Sequence, residues 1–248
     1  MIPRPSSGRI ARRLRVTWAV LSVLIVETLV LAVSALPAVA IWNWGADWER
    51  VPEWGRVLFL AVIAVPSYLL FALGVMFYSA WLTRLLGWRT HPGLRERLAD
   101  FEWPLLDWGR YLISIHVTRM FAGGVFRSTP VWVQYMRWNG ARIGKGSWVN
   151  SMALMDHNLL DFGDRVVIGS DARVSGHTVE GGILKTAPVR IGSGSTIGIG
   201  TIVGIGVSMG ERTQVGALSV VPKYTELEGN ATYAGAPVRR LDRGESVE

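Results

Sequence analysis

Residues 191–221 read IGSGSTIGIGTIVGIGVSMGERTQVGALSVV. Every sixth residue from Ile191 is apolar: Ile197, Val203, Met209, Val215 and Val221. Gly192, Gly198, Gly204, Gly210 and Gly216 follow the first five. The fifth place of each hexad is small or β-branched: Ser195, Thr201, Val207, Thr213 and Ser219. Upstream the period returns at Ile143, Val149 and Met155, slips by one residue, and resumes at Phe162, Ile168 and Val174. A period of six matches neither the 3.6-residue repeat of a helix nor the two-residue alternation of a hairpin meander. It matches a parallel β-helix with three flat faces, in which each hexad supplies one face and one turn. The apolar residue points into the prism, and the glycine permits the turn. Three hexads close a coil, so the roughly eleven hexads make about four coils.

The period breaks once. Between Val174 and Ile191 the chain carries an insertion of about two hexads, beginning just after His177. A loop leaving a rigid prism is where a site is normally built.

These residues resemble the left-handed β-helix hexapeptide-repeat acyltransferases. Val215 to Val221, followed by Tyr233-Ala234-Gly235-Ala236-Pro237, is similar to that superfamily's last coil and exit segment. The resemblance implies a homotrimer with active sites between neighbouring prisms. It also implies a catalytic histidine in a Gly-His setting ahead of a loop, the position His177 holds. Two apolar runs, the lead-in from Arg137 to Gly144, residues 159–163, and His177, Glu180 and Lys185 together resemble a C-terminal unit of the poly-lysine-synthase type of nonribosomal peptide synthetase. Such a unit implies a carrier protein or an adenylating enzyme as partner. The donor implied is an acyl-CoA or acyl-carrier-protein thioester, and no tightly bound cofactor is expected.

Acyl transfer from a thioester needs a base for the acceptor's proton and donors for the developing oxyanion. Histidine suits the first role, so His177 is the expected base. Glu180 either orients its ring or holds an acceptor ammonium, and Lys185 meets a donor phosphate; the alternative for both is a solvated loop residue. Gly204, Gly206 and Ala217, on the turns of neighbouring coils, are the expected donor contacts. Register places His157 and His177 on one edge about 5 Å apart, one strand spacing, with Asp156 beside them. Asp156, His157, Lys185 and Ser219 are the expected substrate contacts. Two histidines in the repeats fall short of a three-histidine zinc site, so no metal is expected. His91 and His116 stand alone and read as interfacial or packing residues.

The other half of the chain is of a different kind. The 248 residues are 50% hydrophobic and 18% charged, with twelve Trp, no Cys and a net charge of +7. The absence of Cys excludes disulfides, thiolate metal sites and a cysteine nucleophile. Residues 139–248 hold eleven basic and eleven acidic residues, so the whole positive charge lies in residues 1–138. No nucleic-acid-binding signature accompanies it. Residues 16–42 and 57–82 are apolar runs long enough to span a bilayer. Trp42, Trp44, Trp48 and Trp54 stand at their ends, and arginines flank the outer sides. The positive-inside rule puts both termini in the cytoplasm, at the inner or plasma membrane. A competing reading is a signal peptide cleaved near Ala38-Val39-Ala40. Glu27 in mid-span is either a functional carboxylate or a residue paired between helices near Tyr68 or Ser67. Leu94, Leu98, Phe101 and Leu105 recur at helical spacing, with Pro104 interrupting.

The sequence therefore predicts a mainly β chain in three parts. Residues 1–90 form a two-span anchor, residues 91–138 an interfacial helical linker, and residues 139–248 a cytoplasmic prism with a C-terminal tail. The expected function is a membrane-anchored acyltransferase acting on an amine or hydroxyl. Two alternatives stand: an acetyl-CoA-dependent O-acetyltransferase of a surface glycan or lipid, and a non-catalytic trimeric scaffold.

Overall fold

A computed structural model describes residues 6–46, 48 and 51–241. Two long helices open the chain, α1 (Ser6–Ala46) and α2 (Glu53–Leu85). Both run through their internal prolines, Pro37 and Pro66, and Ala38-Val39-Ala40 is helical like the rest of α1. Trp44, Trp48 and Phe59 pack ring against ring where the two helices meet. Helix α3 (Trp103–Thr118) packs against both. A π-helical turn (Arg119–Gly123) and the short α4 (Gly124–Phe126) follow. Then comes α5 (Pro130–Trp138), capped by Thr129 Oγ1 accepting from the Trp132 N–H. Proline in the first turn of α3 and of α5 has no N–H to waste there.

The linker departs from the expected helical stretch over residues 94–105. Arg95–Arg97 is a strand (β1) and Leu98–Asp100 a 3₁₀ turn. Pro104 starts α3 rather than interrupting a helix. The edge of the inserted segment takes β1 as a partner, and that pairing overrides the local apolar period.

The repeats form three parallel ladders. One aligns Val149, Ile168, Ile197, Val215 and Tyr233. The second aligns Val174, Val203 and Val221, with Leu154 bridged to Val174. The third aligns Ile143, Phe162, Ile191, Met209 and Leu227. All are buried. By residue count, however, helix exceeds strand, 48% to 19%, so the expectation of a mainly β chain is corrected. Helices α1, α2 and α3 are long, whereas each hexad contributes only two or three ladder residues.

The glycines after the inward residues have a sharper role than easing a turn. A Cβ on Gly198 would stand 2.4 Å from the Ala217 nitrogen, and one on Gly210 would stand 2.4 Å from that of Gly229. The coils stack too closely there for any side chain. Hydroxyls at the fifth places join coils: Ser195 Oγ donates to the Gly210 carbonyl at 3.0 Å and Thr201 Oγ1 to that of Gly216 at 2.9 Å.

One inward residue differs from expectation. Leu154, fully buried, takes the place assigned to Met155. The hexad after Val149 is a residue short, and in its turn Ser151 Oγ accepts from the Ala153 N–H at 3.0 Å. The prism is closed at this end by α5, whose Trp132 donates Nε1–H to the Ser151 carbonyl. Ala72, Met76 and Ala80 of α2 belong to the same apolar core as Trp132, Val149 and Leu154. Helix α2 and the prism are thus packed together.

Candidate functional site

The insertion after Val174 is an antiparallel hairpin, His177–Glu180 pairing with Ile183–Thr186. Gly181 and Gly182 make its turn at positive φ. Its outer strand pairs with β1, Arg95 opposite Lys185. Leu184 is fully buried beneath it.

His177 begins the hairpin with its side chain 20% exposed. Its Nδ1 lies 2.6 Å from Asp156 Oδ2. Asp156 is fully buried one coil earlier, in a left-handed conformation at φ 57°. A buried carboxylate is retained only when its oxygens are well supplied with donors. Thr90 Oγ1 donates to Asp156 Oδ1 at 2.7 Å. The Gly176 N–H donates to Oδ2 at 3.0 Å, and Ser175 Oγ–H approaches Oδ2 at 3.3 Å. A carboxylate so arranged takes the Nδ1–H of His177 and leaves Nε2 as the free, basic nitrogen. Trp108 of α3 meets the imidazole edge-on, ring centroids 5.0 Å apart. The ring is therefore held by a charge on one side and an aromatic wall on the other.

The remaining expected residues separate into groups. His157 does not meet His177 side chain to side chain. It turns inward, fully buried, against Trp132 and Tyr135, with both ring nitrogens lacking a hydrogen-bond partner. Burial pushes its pKa down to about 4, so the ring is neutral. Glu180 does not touch the imidazole either. It pairs with Lys185 at 3.0 Å and with Lys223 two coils on. The ring's orienting acid is Asp156; Glu180 points along the hairpin because strand alternation separates it from His177.

Gly204 and Gly206 follow Val203 as His177 follows Val174, so they share its corner of the prism one coil further on. The Gly204 N–H is already given to the Val221 carbonyl. Ala217 and Ser219 lie on a different corner, between the Val215 and Val221 strands. Ser219 is buried, and its hydroxyl accepts from the Gly235 N–H at 3.1 Å. Within one prism, Ser219 and Ala217 therefore stand apart from the histidine.

Among the described residues no cluster of three His, Asp or Glu is placed to hold a metal ion. His116 bonds the Leu112 carbonyl of its own helix. His91 stands 3.7 Å from Asp107, beside Trp108. Glu27 is buried, faces Ser114 of α3, and does not reach Tyr68, whose hydroxyl donates to the Phe121 carbonyl. Thr90, Trp108 and Ser175 were not singled out from sequence. Only their meeting in space gives them a role, and a lone Thr-His or Asp-Trp pair carries no motif.

The fold and site thus define a parallel β-helix of hexapeptide repeats with a histidine–aspartate pair at the root of an inserted hairpin. Solved structures this chain is similar to include several acetyltransferases. One is a maltose O-acetyltransferase from Clostridium difficile, 24% identical, TM-score 0.39, aligned over 44% of this chain and 62% of that one. Another is a hexapeptide-repeat acetyltransferase from Vibrio cholerae complexed with acetyl coenzyme A, 23% identical, TM-score 0.38, over 43% and 62%. A serine acetyltransferase from Brucella abortus aligns over 86% of this chain and 68% of that one, 19% identical, TM-score 0.37. The chain spans less than two thirds of the length of the first two. No family model and no curated relative matches.

Proposed function

We propose that this chain is a membrane-anchored acyltransferase that moves an acyl or aminoacyl group from a phosphopantetheine thioester to an amine or hydroxyl. The observation that carries the reading is the 2.6 Å contact between His177 and the buried Asp156. A scaffold has no use for a buried carboxylate aimed at one partly exposed imidazole. In the reaction, His177 Nε2 removes the acceptor's proton as the acceptor attacks the thioester carbonyl. The C–S bond then breaks, and the departing thiolate takes the proton back from the imidazolium. Asp156 keeps the correct nitrogen free and stabilises the imidazolium between these steps. No acyl-enzyme forms, so a chain without Cys suffices.

Lys185 and Lys223, bridged by Glu180, lie on the hairpin's side of the prism. They are the proposed contacts for the donor's phosphates, with Glu180 holding the two ammonium groups in place. The turn at Gly204 and Gly206, at the corner His177 occupies one coil earlier, is the proposed contact for the pantetheine arm. By the superfamily resemblance the prism is left-handed and the chain trimeric, and Ala217 and Ser219 would contact substrate bound at a neighbour's histidine.

Membrane anchoring rests on the helices themselves. Both are long and apolar enough to cross a bilayer, and the most apolar windows of α1 and α2 are only 33% and 11% buried. A core helix of a soluble protein would be mostly covered. Leu24, Ile25, Val57, Leu58, Val62 and Val65 are all more than half exposed. Water does not tolerate so continuous an apolar surface, whereas lipid does.

The test is thioester turnover by the purified full chain, with acetyl-CoA and an aminoacyl carrier protein offered separately. Turnover lost in His177→Ala supports the reading, and the preferred donor separates glycan or lipid acetylation from aminoacyl coupling. A folded protein active with neither donor overturns it.

A further inference from the structure

Beyond the end of α2 lies a cavity of about 640 Å³ between the 87–92 loop, α3 and the first coil. Arg84 and Arg89 line it, with Asn139 and Asn158 across from them and no acidic residue in the wall. Neither arginine has an ion-pair partner among the described residues. Asn139 is 3% exposed, and its Oδ1 has no hydrogen-bond partner. Arg84 also lines a second hollow, of about 330 Å³, whose other walls are Phe77, Ala80, Trp81, Leu85 and Trp138. Phe77, Trp81 and Leu85 are largely exposed on the last turns of α2. A cationic chamber and an apolar channel therefore meet at one guanidinium, at the end of a helix that reaches the membrane surface.

We propose that the two hollows form one site for an anionic membrane lipid. Its phosphate would sit on Arg84 and Arg89, and an acyl chain would lie along Phe77, Trp81 and Leu85. Guanidinium groups bind phosphate in paired hydrogen bonds. The charge distribution decides for an anionic headgroup over a zwitterionic one. The inference rests on the membrane placement of α2, and not on catalysis. It has a neighbour of interest: Thr90, between Arg89 and the cavity-lining His91, is the residue that holds Asp156 Oδ1. The headgroup site and the histidine–aspartate pair thus share one loop.

The experiment measures lipid retained by the full chain, by native mass spectrometry after exchange from nanodiscs of phosphatidylcholine mixed with phosphatidylglycerol. Wild type should retain phosphatidylglycerol over phosphatidylcholine by about tenfold, and Arg84→Gln with Arg89→Gln should abolish the preference. Arg89→Gln alone, where no hydrogen bond within the protein is lost, should reduce it without disturbing the fold. Arg95→Gln, a cation outside the cavity, should leave it unchanged, as should His177→Ala, which tests catalysis separately. Equal retention of both lipids, or an equal loss with Arg95→Gln, overturns the site. Displacement of phosphatidylglycerol by millimolar inorganic phosphate alone would assign the arginines to a soluble anion and overturn the lipid assignment.

Discussion

Asp156 and His157 are sequence neighbours with opposite fates, and both can be tested. Asp156→Asn keeps the shape of the carboxylate but turns an obligate acceptor towards the His177 Nδ1–H into a group that can present N–H₂. The imidazole would then lose its oriented tautomer, and kcat should fall by about 10²–10⁴-fold with KM little changed. Steady-state kinetics check this against His177→Ala, whose loss should be of similar size. His157, neutral and buried with a pKa near 4, acts on stability. The unfolded chain binds its proton below about pH 6.5, whereas the folded chain resists until about pH 4. Stability is therefore lost as pH falls through that window, by up to about 3 kcal/mol. Denaturation midpoints measured from pH 7 to pH 4 should show the loss, and His157→Phe should flatten it. Sequence placed these two residues beside His177 but not which one touches it. That depended on the backbone after Leu154, where Asp156 takes a left-handed conformation and His157 opens a 3₁₀ turn (His157–Leu159).

At the scale of elements, the coils were the most legible part of the chain. A six-residue period has one geometric solution, and the ladders realise it from Ile143 to Tyr233. The close approach of stacked turns adds a demand the period does not reveal. Gly198→Val would drive a side chain into the Ala217 backbone and should cost about 3 kcal/mol, read as a lowered thermal midpoint. The break at His177 was legible as an insertion, but its form was not. Residues 177–186 fold as a hairpin because Leu184 finds a buried seat and β1 pairs with its edge. Both are long-range partners. Leu184→Ala should loosen the hairpin, lower activity and leave the prism folded, as amide exchange confined to residues 177–186 would show. Helix α3 was expected at the interface and is found between the two long helices and the histidine. Trp108→Ala should lower kcat without changing the thermal midpoint by more than a few degrees.

Across the whole molecule, the two long helices were plain from hydropathy and flanking charge. What hydropathy could not show is that α2 shares a core with the prism through Ala72, Met76 and Ala80. Helix α2 is therefore part of the frame that positions the 87–92 loop against Asp156, and cutting the chain before α3 should cost activity. Because the chain has no Cys, single cysteines report topology cleanly. With α1 and α2 spanning the membrane, Gly55→Cys should react with a membrane-impermeant maleimide on intact cells. Leu218→Cys, exposed on the prism, should react only after lysis. Labelling of both on intact cells would contradict the proposed orientation.

The proposed chemistry has His177, set by Asp156, help move an acyl group from a thioester. Its most direct test is release of free thiol from acetyl-CoA, and from an aminoacyl carrier protein, by detergent-purified wild type, His177→Ala and Asp156→Asn, each confirmed to be folded. Turnover is expected with one donor and should fall by about 10²-fold or more in both variants. Turnover that survives in His177→Ala, or is absent from well-folded wild type with either donor, would contradict it.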